Sequence, residues 1–248
     1  WSFLQENNRI KREVFRWVER VLARRCDGII HISNFEAAAA RKCGISCPQQ
    51  QVIYNGVKPV TDAPLDKGLP RLRPEGARVH LGFVGRLDYK KGYDLLFDFM
   101  RDYAPDDVHL SVIGGYDDMA RALPEDTQNV RYLGWCAPAD IDAYYQSFDV
   151  LVVPSRFEGF GLVAVEAMRN GVPAIVTSHC ALSEIITDGK TGYHVDITDF
   201  NVQMAAVISG LDPVTLAEMG RNARHDYQSR FTAPRMCAAV MDFYSRFG

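Results

Sequence analysis

The sequence predicts an α/β protein built on a doubly wound parallel sheet, with helices covering both faces. From residue 79 onward, short apolar runs alternate with segments of helical periodicity. Runs that are apolar at nearly every position are typical of strands buried on both faces. Alternation of such strands with helices favours parallel pairing through crossover connections.

The first 57 residues are expected to form part of a separate, smaller domain. Residues 8–25 place apolar side chains on one side and arginines on the other, which predicts an amphipathic helix. Residues 28–32 form a short apolar run and predict a buried strand. Residues 33–42 begin with a capping box and predict a helix, and residues 51–54 predict a second strand.

Residues 58–77 are rich in Pro, Gly and charge and lack periodicity, which is typical of a linker. The larger domain is then expected to cover residues 78–248. Its predicted strands are 79–85, 108–113, 130–133, 150–153, 174–177 and 193–195. Its predicted helices are 92–101, 138–146, 160–170 and 181–187, with a turn near 117–121 and a helical tail from about 199 to 247.

Composition excludes several classes of protein. The formal net charge of −3 argues against a nucleic-acid-binding protein, which would show a basic excess. Apolar runs of about 18 residues are absent, so no transmembrane helix is expected. The 6 cysteines offer one close pair, Cys43 and Cys47, and no second pair to complete a zinc site. We therefore expect reduced thiols in a cytoplasmic protein.

The N-terminal region raises two further expectations. The chain begins with Trp1 and without an initiator Met, so we expect a fragment of a longer or processed polypeptide. The arginine stripe of the first helix is explained either as a solvated face or as a contact with anionic lipid at the inner face of a membrane. Glu13 and Glu19 share that face and reduce its charge, which favours the solvated interpretation.

A basic cluster, GRLDYKKG at residues 85–92, follows the first strand of the larger domain. Ligands bind beyond the carboxyl ends of parallel strands, so residues that follow strands are the informative ones. Arg86 and Lys91 place two cations there, just before a helix predicted to begin near Gly92. Cations beside a helix N-terminus bind anions, most simply phosphate. The alternative is a solvated basic turn.

A second cluster, PSRFEGFGLVAVEAM at residues 154–168, also follows a predicted strand. Glu158 lies in the loop, and Glu166 lies about two turns into the next helix on the side that faces the loop. Either carboxylate alone is explained by helix capping or by a structural ion pair, but both together among glycines favour a binding site. Three exposed amides at the helix start can receive a diphosphate: Phe160, Gly161 and Leu162.

Together with SEIITDGKTGYHV at residues 183–195, these motifs resemble the C-terminal half of family-4 glycosyltransferases of the GT-B fold. Upstream, DGIIHIS and VIYNGV resemble the last pieces of that family's N-terminal domain. The resemblance implies that residues 78–248 form a Rossmann-like, donor-binding domain. It also implies that residues 1–57 are a remnant of the acceptor-side domain.

The resemblance also implies roles for individual residues. Arg86 and Lys91 would hold the donor diphosphate, and Glu158 would contact the hydroxyls of the donor sugar. These three are the expected catalytic residues. Glu166 would accept hydrogen bonds from the ribose hydroxyls. Trp135 falls where the family seats the nucleobase, and it is explained equally well as a packed loop aromatic. The amides expected to contact phosphate or sugar are those of Phe160, Gly161 and Leu162.

The implied reaction transfers a sugar from a nucleoside-diphosphate sugar, with retention of configuration, to a carbohydrate or lipid-linked acceptor. The acceptor is expected to be bound through the N-terminal domain, most of which this chain lacks. No cofactor or metal is expected, because Arg86 and Lys91 neutralise the diphosphate. A metal-binding Asp-x-Asp would be expected directly after a strand. The Asp140-Ile141-Asp142 string has that form but falls in a helical pattern, so it is not expected to bind a metal. Where many members have a Gly-Gly pair, this chain has His179-Cys180-Ala181.

Two alternatives from other classes remain at this point. A nucleotide-sugar-binding module, or one subunit of a split transferase, would share every donor motif and have no activity of its own. A nucleotide-sugar epimerase of the same fold would consume the donor without transferring the sugar.

Overall fold

The computed structural model describes residues 8–60, 73–118 and 120–247, and the chain forms two compact units. The first unit contains the residues up to Lys58 together with those from Arg230 onward, and the second contains Pro59–Ser229. This division differs from the expected domain of residues 78–248, because the last helix belongs to the first unit. Backbone pairing explains the difference: Val57 donates to the Phe231 carbonyl at 2.9 Å and accepts from the Ala233 amide at 3.0 Å.

The first unit combines a two-stranded parallel sheet with three helices. Its elements are α1 (Arg9–Ala23), β1 (Gly28–His31), α2 (Asn34–Lys42), β2 (Gln49–Val52), α9 (Ala233–Tyr244) and a final 3₁₀ turn (Ser245–Phe247). As predicted, the Ser33 hydroxyl caps α2 by accepting the Glu36 amide at 3.1 Å. The second strand was predicted at residues 51–54. It begins earlier, because its parallel register pairs Gln49 with Gly28 and Val52 with His31.

The predicted amphipathic helix is confirmed as α1. Its apolar side chains, including Ile10 and Trp17, are largely exposed in the described structure. Asn8 caps its N-terminus by accepting the amides of Ile10 and Lys11. Nowhere in the described ranges is a helix long and apolar enough to cross a membrane.

The second unit contains a six-stranded sheet in the order β5-β4-β3-β6-β7-β8, with every pair parallel. The strands are β3 (Val79–Val84), β4 (Val108–Ile113), β5 (Val130–Gly134), β6 (Val150–Val153), β7 (Ala174–Thr177) and β8 (Gly192–Val195). This sheet confirms the predicted fold class, and each strand lies within a residue of its predicted bounds. The agreement follows from burial, because the central strands are covered on both faces and are therefore largely apolar, with His80 and Thr177 as exceptions.

Among the described residues of this unit, six helices connect and flank these strands. They are α3 (Tyr93–Asp102), α4 (Ile141–Ser147), α5 (Leu162–Arg169), α6 (Leu182–Ile185), α7 (Phe200–Gly210) and α8 (Pro213–Arg230). Helix α5 begins two residues later than predicted, because Gly161 adopts a left-handed conformation with φ 99° at its N-cap. The predicted turn near residues 117–121 includes Met119, which lies outside the described residues.

The core of the second unit lies between the sheet and its helices. Buried side chains from α3 and α7 pack against the strands, among them Leu96, Phe99 and Met204. Each fully buried Leu, Phe or Met stabilises the fold by about 1.5–3 kcal/mol. His80 of β3 is also fully buried and has a structural role, since its ring nitrogens bond the Ser147 carbonyl and the Ser111 hydroxyl. Burial lowers the pKa of His80.

The strand order creates one crevice at the carboxyl edge of the sheet. From β3 the chain proceeds to β4 and β5 on one side, then returns to β6 on the other side of β3. Ligands bind at such switch points, because the loops after the two neighbouring strands diverge there. The loops meet at Gly92, the N-cap of α3, which has φ 69°. A Cβ at this position would lie 1.8 Å from the Pro154 carbonyl oxygen.

We predict that Gly92→Ala destabilises the protein by about 2–5 kcal/mol. The left-handed conformation costs roughly 1–2 kcal/mol for a residue with a Cβ, and the clash with a backbone carbonyl adds roughly 1–3 kcal/mol. Gly189→Ala is a matched control, because Gly189 also has φ 69° and has nothing within 4 Å of its added Cβ. Urea unfolding measures both variants. Equal losses would contradict the close approach at Gly92.

Candidate functional site

The crevice between β3 and β6 brings together two charged residues that the sequence places in separate motifs. The Lys91 ammonium lies 2.5 Å from Glu158 Oε2. Their side chains are 27% and 16% exposed, so the pair is largely shielded from water while one side stays accessible. In such surroundings a charge-assisted hydrogen bond is stronger than it is at an open surface. The crevice therefore contains a preformed cation–carboxylate pair.

Arg86 lies at the mouth of the crevice and is held by two carboxylates. Its guanidinium lies 2.7 Å from Asp117, in the loop after β4, and 3.0 Å from Asp88. The hydrogen bond to Asp117, with the nearby charges of Asp88 and Glu158, raises the pKa of Arg86. The side chain of Asp117 is 70% exposed, so this ion pair is weak and can exchange for another anion.

Asp88 organises the loop that contains both cations. One carboxylate oxygen pairs with Arg86, and the other accepts the Lys91 backbone amide at 2.8 Å. An Asp that accepts the amide three residues onward is a common loop-shaping motif, so the Asp88-x-x-Lys91 spacing could have identified this role. Asp117 has no such local pattern, because its partner Arg86 is 31 residues away.

The N-terminus of α5 faces the same edge of the sheet. Gly161 is its N-cap, and no side chain of the described residues caps it. A Cβ on Gly161 would lie 2.4 Å from a methyl carbon of Leu182. The backbone at residue 161 can therefore lie this close to Leu182 only because glycine has no side chain. Phe160 is buried, whereas Leu162 is 47% exposed. Of the three residues predicted to offer amides, Phe160 thus also serves as a core side chain.

Glu166 lies in the second turn of α5 and contacts a residue that the sequence did not identify. The hydroxyl of Tyr145, which is fully buried in α4, donates to Glu166 Oε2 at 2.7 Å. Burial raises the pKa of Glu166, although Tyr145 and the nearby Arg169 act in the opposite direction. Tyr145 resembles an ordinary core aromatic in sequence, so only the fold reveals its contact with a carboxylate.

Trp135 follows β5 and lies beside the glycines that end β4. Its indole nitrogen would be 2.9 Å from a Cβ placed on Gly115. The side chain is 58% exposed, so it is not a core residue and presents ring surface to solvent. Its predicted contact with a nucleobase stays a prediction.

The Asp140-x-Asp142 string has structural roles. Asp140 is the N-cap residue of α4, and Asp142 pairs with Arg169 and accepts from the Asn170 side-chain amide at 2.8 Å. Across residues 8–60, 73–118 and 120–247, no three His, Cys, Asp or Glu side chains lie together as a metal site would require.

Comparison with known proteins identifies the family. Residues 71–226, more than half of the chain, match the family model described as glycosyl transferases group 1. The chain belongs to this family. The resemblance of the three sequence motifs to glycosyltransferases is thereby confirmed.

Curated relatives of this group 1 glycosyltransferase chain are longer than the chain itself. An uncharacterized 41.2 kDa protein in the cps region of Klebsiella pneumoniae is 35% identical over 204 residues, which are 81% of this chain and 56% of that protein. A D-inositol 3-phosphate glycosyltransferase of Corynebacterium kroppenstedtii is 31% identical over 200 residues, 72% of this chain and 44% of that protein. The chain spans about half the length of the curated relatives it matches.

Solved structures share the fold over nearly the whole chain. Sucrose-phosphate synthase from Thermosynechococcus elongatus matches with a TM-score of 0.78 and 26% identity, over 98% of this chain and 64% of that one. HepE from Anabaena, solved in complex with UDP-glucose, matches with a TM-score of 0.79 and 22% identity, over 94% of this chain and 68% of that one.

We predict that Glu166→Gln stabilises the protein near neutral pH. The raised pKa means that folding favours protonated Glu166, so its charge opposes folding above the folded-state pKa and has no such effect below the ordinary value of 4.5. The variant should melt about 2–4 °C higher near neutral pH, the shift that roughly 1 kcal/mol produces in a protein of this size. This gain should disappear below pH 4.5.

Calorimetric melting across this pH range measures the effect. Glu218→Gln is the control, because Glu218 is an exposed carboxylate on α8 and its replacement should change little. A gain for Glu166→Gln that does not change with pH would contradict the assigned cause.

Proposed function

We propose that this chain binds a nucleoside-diphosphate sugar at the carboxyl ends of β3 and β6 and serves as the donor side of a retaining glycosyltransferase. The observation that supports this most directly is the Lys91–Glu158 pair at the switch point, between Arg86 and the N-terminus of α5. A diphosphate needs cations and amides, and sugar hydroxyls need a carboxylate acceptor. All of these groups lie at one edge of one sheet.

In this proposal, the donor takes the place of existing partners. The diphosphate binds Arg86 in place of the exposed Asp117, and it binds Lys91 in place of Glu158. Glu158 is then free to accept hydrogen bonds from the sugar hydroxyls. Charge-assisted bonds to phosphate are strong enough to replace the exposed Arg86–Asp117 pair, which is worth only about 0–1 kcal/mol. At Lys91, the phosphate replaces one charge-assisted bond with another.

The nucleoside is proposed to lie along the neighbouring strand ends. Glu166, with one oxygen held by Tyr145, has its other oxygen available for ribose hydroxyls. The exposed ring of Trp135 offers a stacking surface for the base. HepE, which shares the fold, was solved with UDP and with UDP-glucose, so UDP is the first nucleotide to test against GDP and ADP.

Retention of configuration is proposed to occur by attack on the same face of the sugar that the diphosphate leaves. In this proposal Glu158 accepts hydrogen bonds from the sugar hydroxyls, so it is not assigned as a covalent nucleophile. The bond from C1 to the diphosphate oxygen breaks as the bond from C1 to the acceptor oxygen forms. The proton of the acceptor hydroxyl passes to the departing diphosphate, whose developing charge Arg86, Lys91 and the α5 amides stabilise.

The acceptor is proposed to be a carbohydrate or a lipid-linked sugar bound by protein outside this chain's donor site. We propose that residues 1–248 alone bind the donor and transfer no sugar. A pure binding module would also bind the donor, but it would stay inactive even when an acceptor-side partner is supplied. A split-transferase subunit would become active with that partner.

Donor binding is predicted to need Arg86 and Lys91 and no divalent metal. Arg86→Ala and Lys91→Ala should each weaken UDP binding by about 1–3 kcal/mol, because each removes charge-assisted bonds to the diphosphate. Isothermal calorimetry with and without EDTA measures this effect. Lys190→Ala is the control, because Lys190 precedes β8 and so lies at the amino edge of the sheet. Affinity that is lost in EDTA and restored by magnesium would refute the proposal.

The two glutamates are predicted to contribute to different parts of the donor. Glu166→Ala should weaken UDP and UDP-glucose equally, by about 1.5–3 kcal/mol, since both contain ribose. Glu158→Gln should not weaken UDP, because it leaves Lys91 free for the diphosphate, and it should reduce the extra affinity that the sugar provides. Competitive binding of both ligands to each variant tests this division. Equal loss of UDP affinity in the two variants would show that the assignment is wrong.

A further inference from the structure

Arg156 lies two residues before Glu158 in the loop after β6, and its contacts reach two neighbouring loops. We propose that Arg156 is a positioning residue: it fixes Lys91 and Glu158 relative to each other so that both are ready for the donor. This inference rests on the proposed donor-binding function.

The guanidinium of Arg156 is fixed by residues on the β3 side of the crevice. Its two terminal nitrogens donate to the two carboxylate oxygens of Asp94, at 2.6 and 2.7 Å. One of them also donates to the Tyr89 carbonyl at 2.8 Å, and the guanidinium lies 3.7 Å from the centre of the Tyr89 ring. The side chain of Arg156 is 19% exposed and that of Asp94 is 46% exposed, so the pair is partly shielded from water.

The backbone of Arg156 adds two further connections. Its amide donates to the Lys90 carbonyl at 2.9 Å, and its carbonyl accepts from the His179 ring at 2.7 Å. His179 belongs to the loop after β7. A single residue thus connects the loops that follow β3, β6 and β7, three of the loops at the crevice.

These contacts indicate positioning rather than ligand binding. Both terminal nitrogens of the guanidinium donate to protein acceptors, and its planar face is covered by Tyr89. The backbone bond to Lys90 fixes the residue adjacent to Lys91. A displacement of about 1 Å between groups that act together on one ligand can reduce their effect up to about a hundredfold. Only arginine can combine the bidentate pair with the stacked ring, so lysine is not an equivalent here.

Lys91 provides a specific test, because Arg156 is proposed to act partly through it. In the wild-type background, Arg156→Ala should weaken UDP binding about tenfold, as measured by calorimetry. In the Lys91→Ala background, the same change should weaken it less than about twofold, since the cation to be positioned is already absent. A residue that contacts UDP directly, or that only stabilises the fold, would give the same loss in both backgrounds.

Matched variants exclude simpler explanations. Arg101→Ala removes a charged partner of Asp98 and Asp102 on the same helix α3, and it should leave UDP affinity unchanged. Arg156→Lys keeps the charge and should still lose most of the affinity. If Arg156→Ala does not fold, Asp94→Asn breaks the same bidentate pair and replaces it in the cycle.

The outcomes separate this inference from the function on which it rests. Non-additive losses with unchanged Arg101→Ala affinity support positioning by Arg156. Equal losses in both backgrounds, or full recovery by Arg156→Lys, overturn the positioning role while donor binding stands. Absence of UDP, GDP and ADP binding by the wild-type chain overturns the donor-binding function and this inference with it.

Discussion

At the carboxyl edge of the larger sheet, the N-terminus of α3 touches the carbonyl of Pro154, and only a residue without a Cβ fits between them. This contact at Gly92 fixes how closely the loops after β3 and β6 approach. Parallel strands alone would leave these loops adjacent but unconnected. Because the loops touch, Lys91 reaches Glu158 and Arg156 reaches Asp94, and the crevice acquires a defined set of charges.

The charges in the crevice differ in how firmly they are held. Arg156 and Asp94 form a partly shielded bidentate pair that shapes the loops. Arg86 and Asp117 form an exposed pair that a stronger anion can replace. Glu166 is largely buried against Tyr145, and this burial raises its pKa. The Arg156–Asp94 pair thus shapes the loops, whereas the Arg86–Asp117 pair is weak enough to be replaced by another anion.

The fold could be predicted from the sequence because its main constraint is local. Strands β3, β6 and β7 are buried on both faces, and a short, mostly apolar run in the sequence is enough to indicate such a strand. The errors occur where tertiary contacts decide. The register of β2 depends on β1, and the grouping of α9 with the first unit depends on the backbone bonds of Val57 to Phe231 and to Ala233, the first residue of α9.

The site was predictable only in part, for the same reason. Arg86, Lys91, Glu158 and Glu166 follow strand ends in glycine-containing motifs that are visible locally. Their partners were missed, because each comes from a distant segment: Asp117 is 31 residues from Arg86, and Tyr145 is 21 residues from Glu166. The pairing of Arg156 with Asp94 spans 62 residues. A sequence shows which side chains follow a strand, whereas the strand order decides which of them meet.

The balance of charge in the crevice also affects how a ligand arrives. Two cations, Arg86 and Lys91, are matched by three carboxylates, those of Asp88, Asp117 and Glu158. Such a surface produces little long-range attraction for a polyanion, so electrostatic steering contributes little to the association rate. A small anion gains little by approaching such an entrance. Only a ligand that pairs with several of these groups at once can compensate for the ion pairs that it displaces.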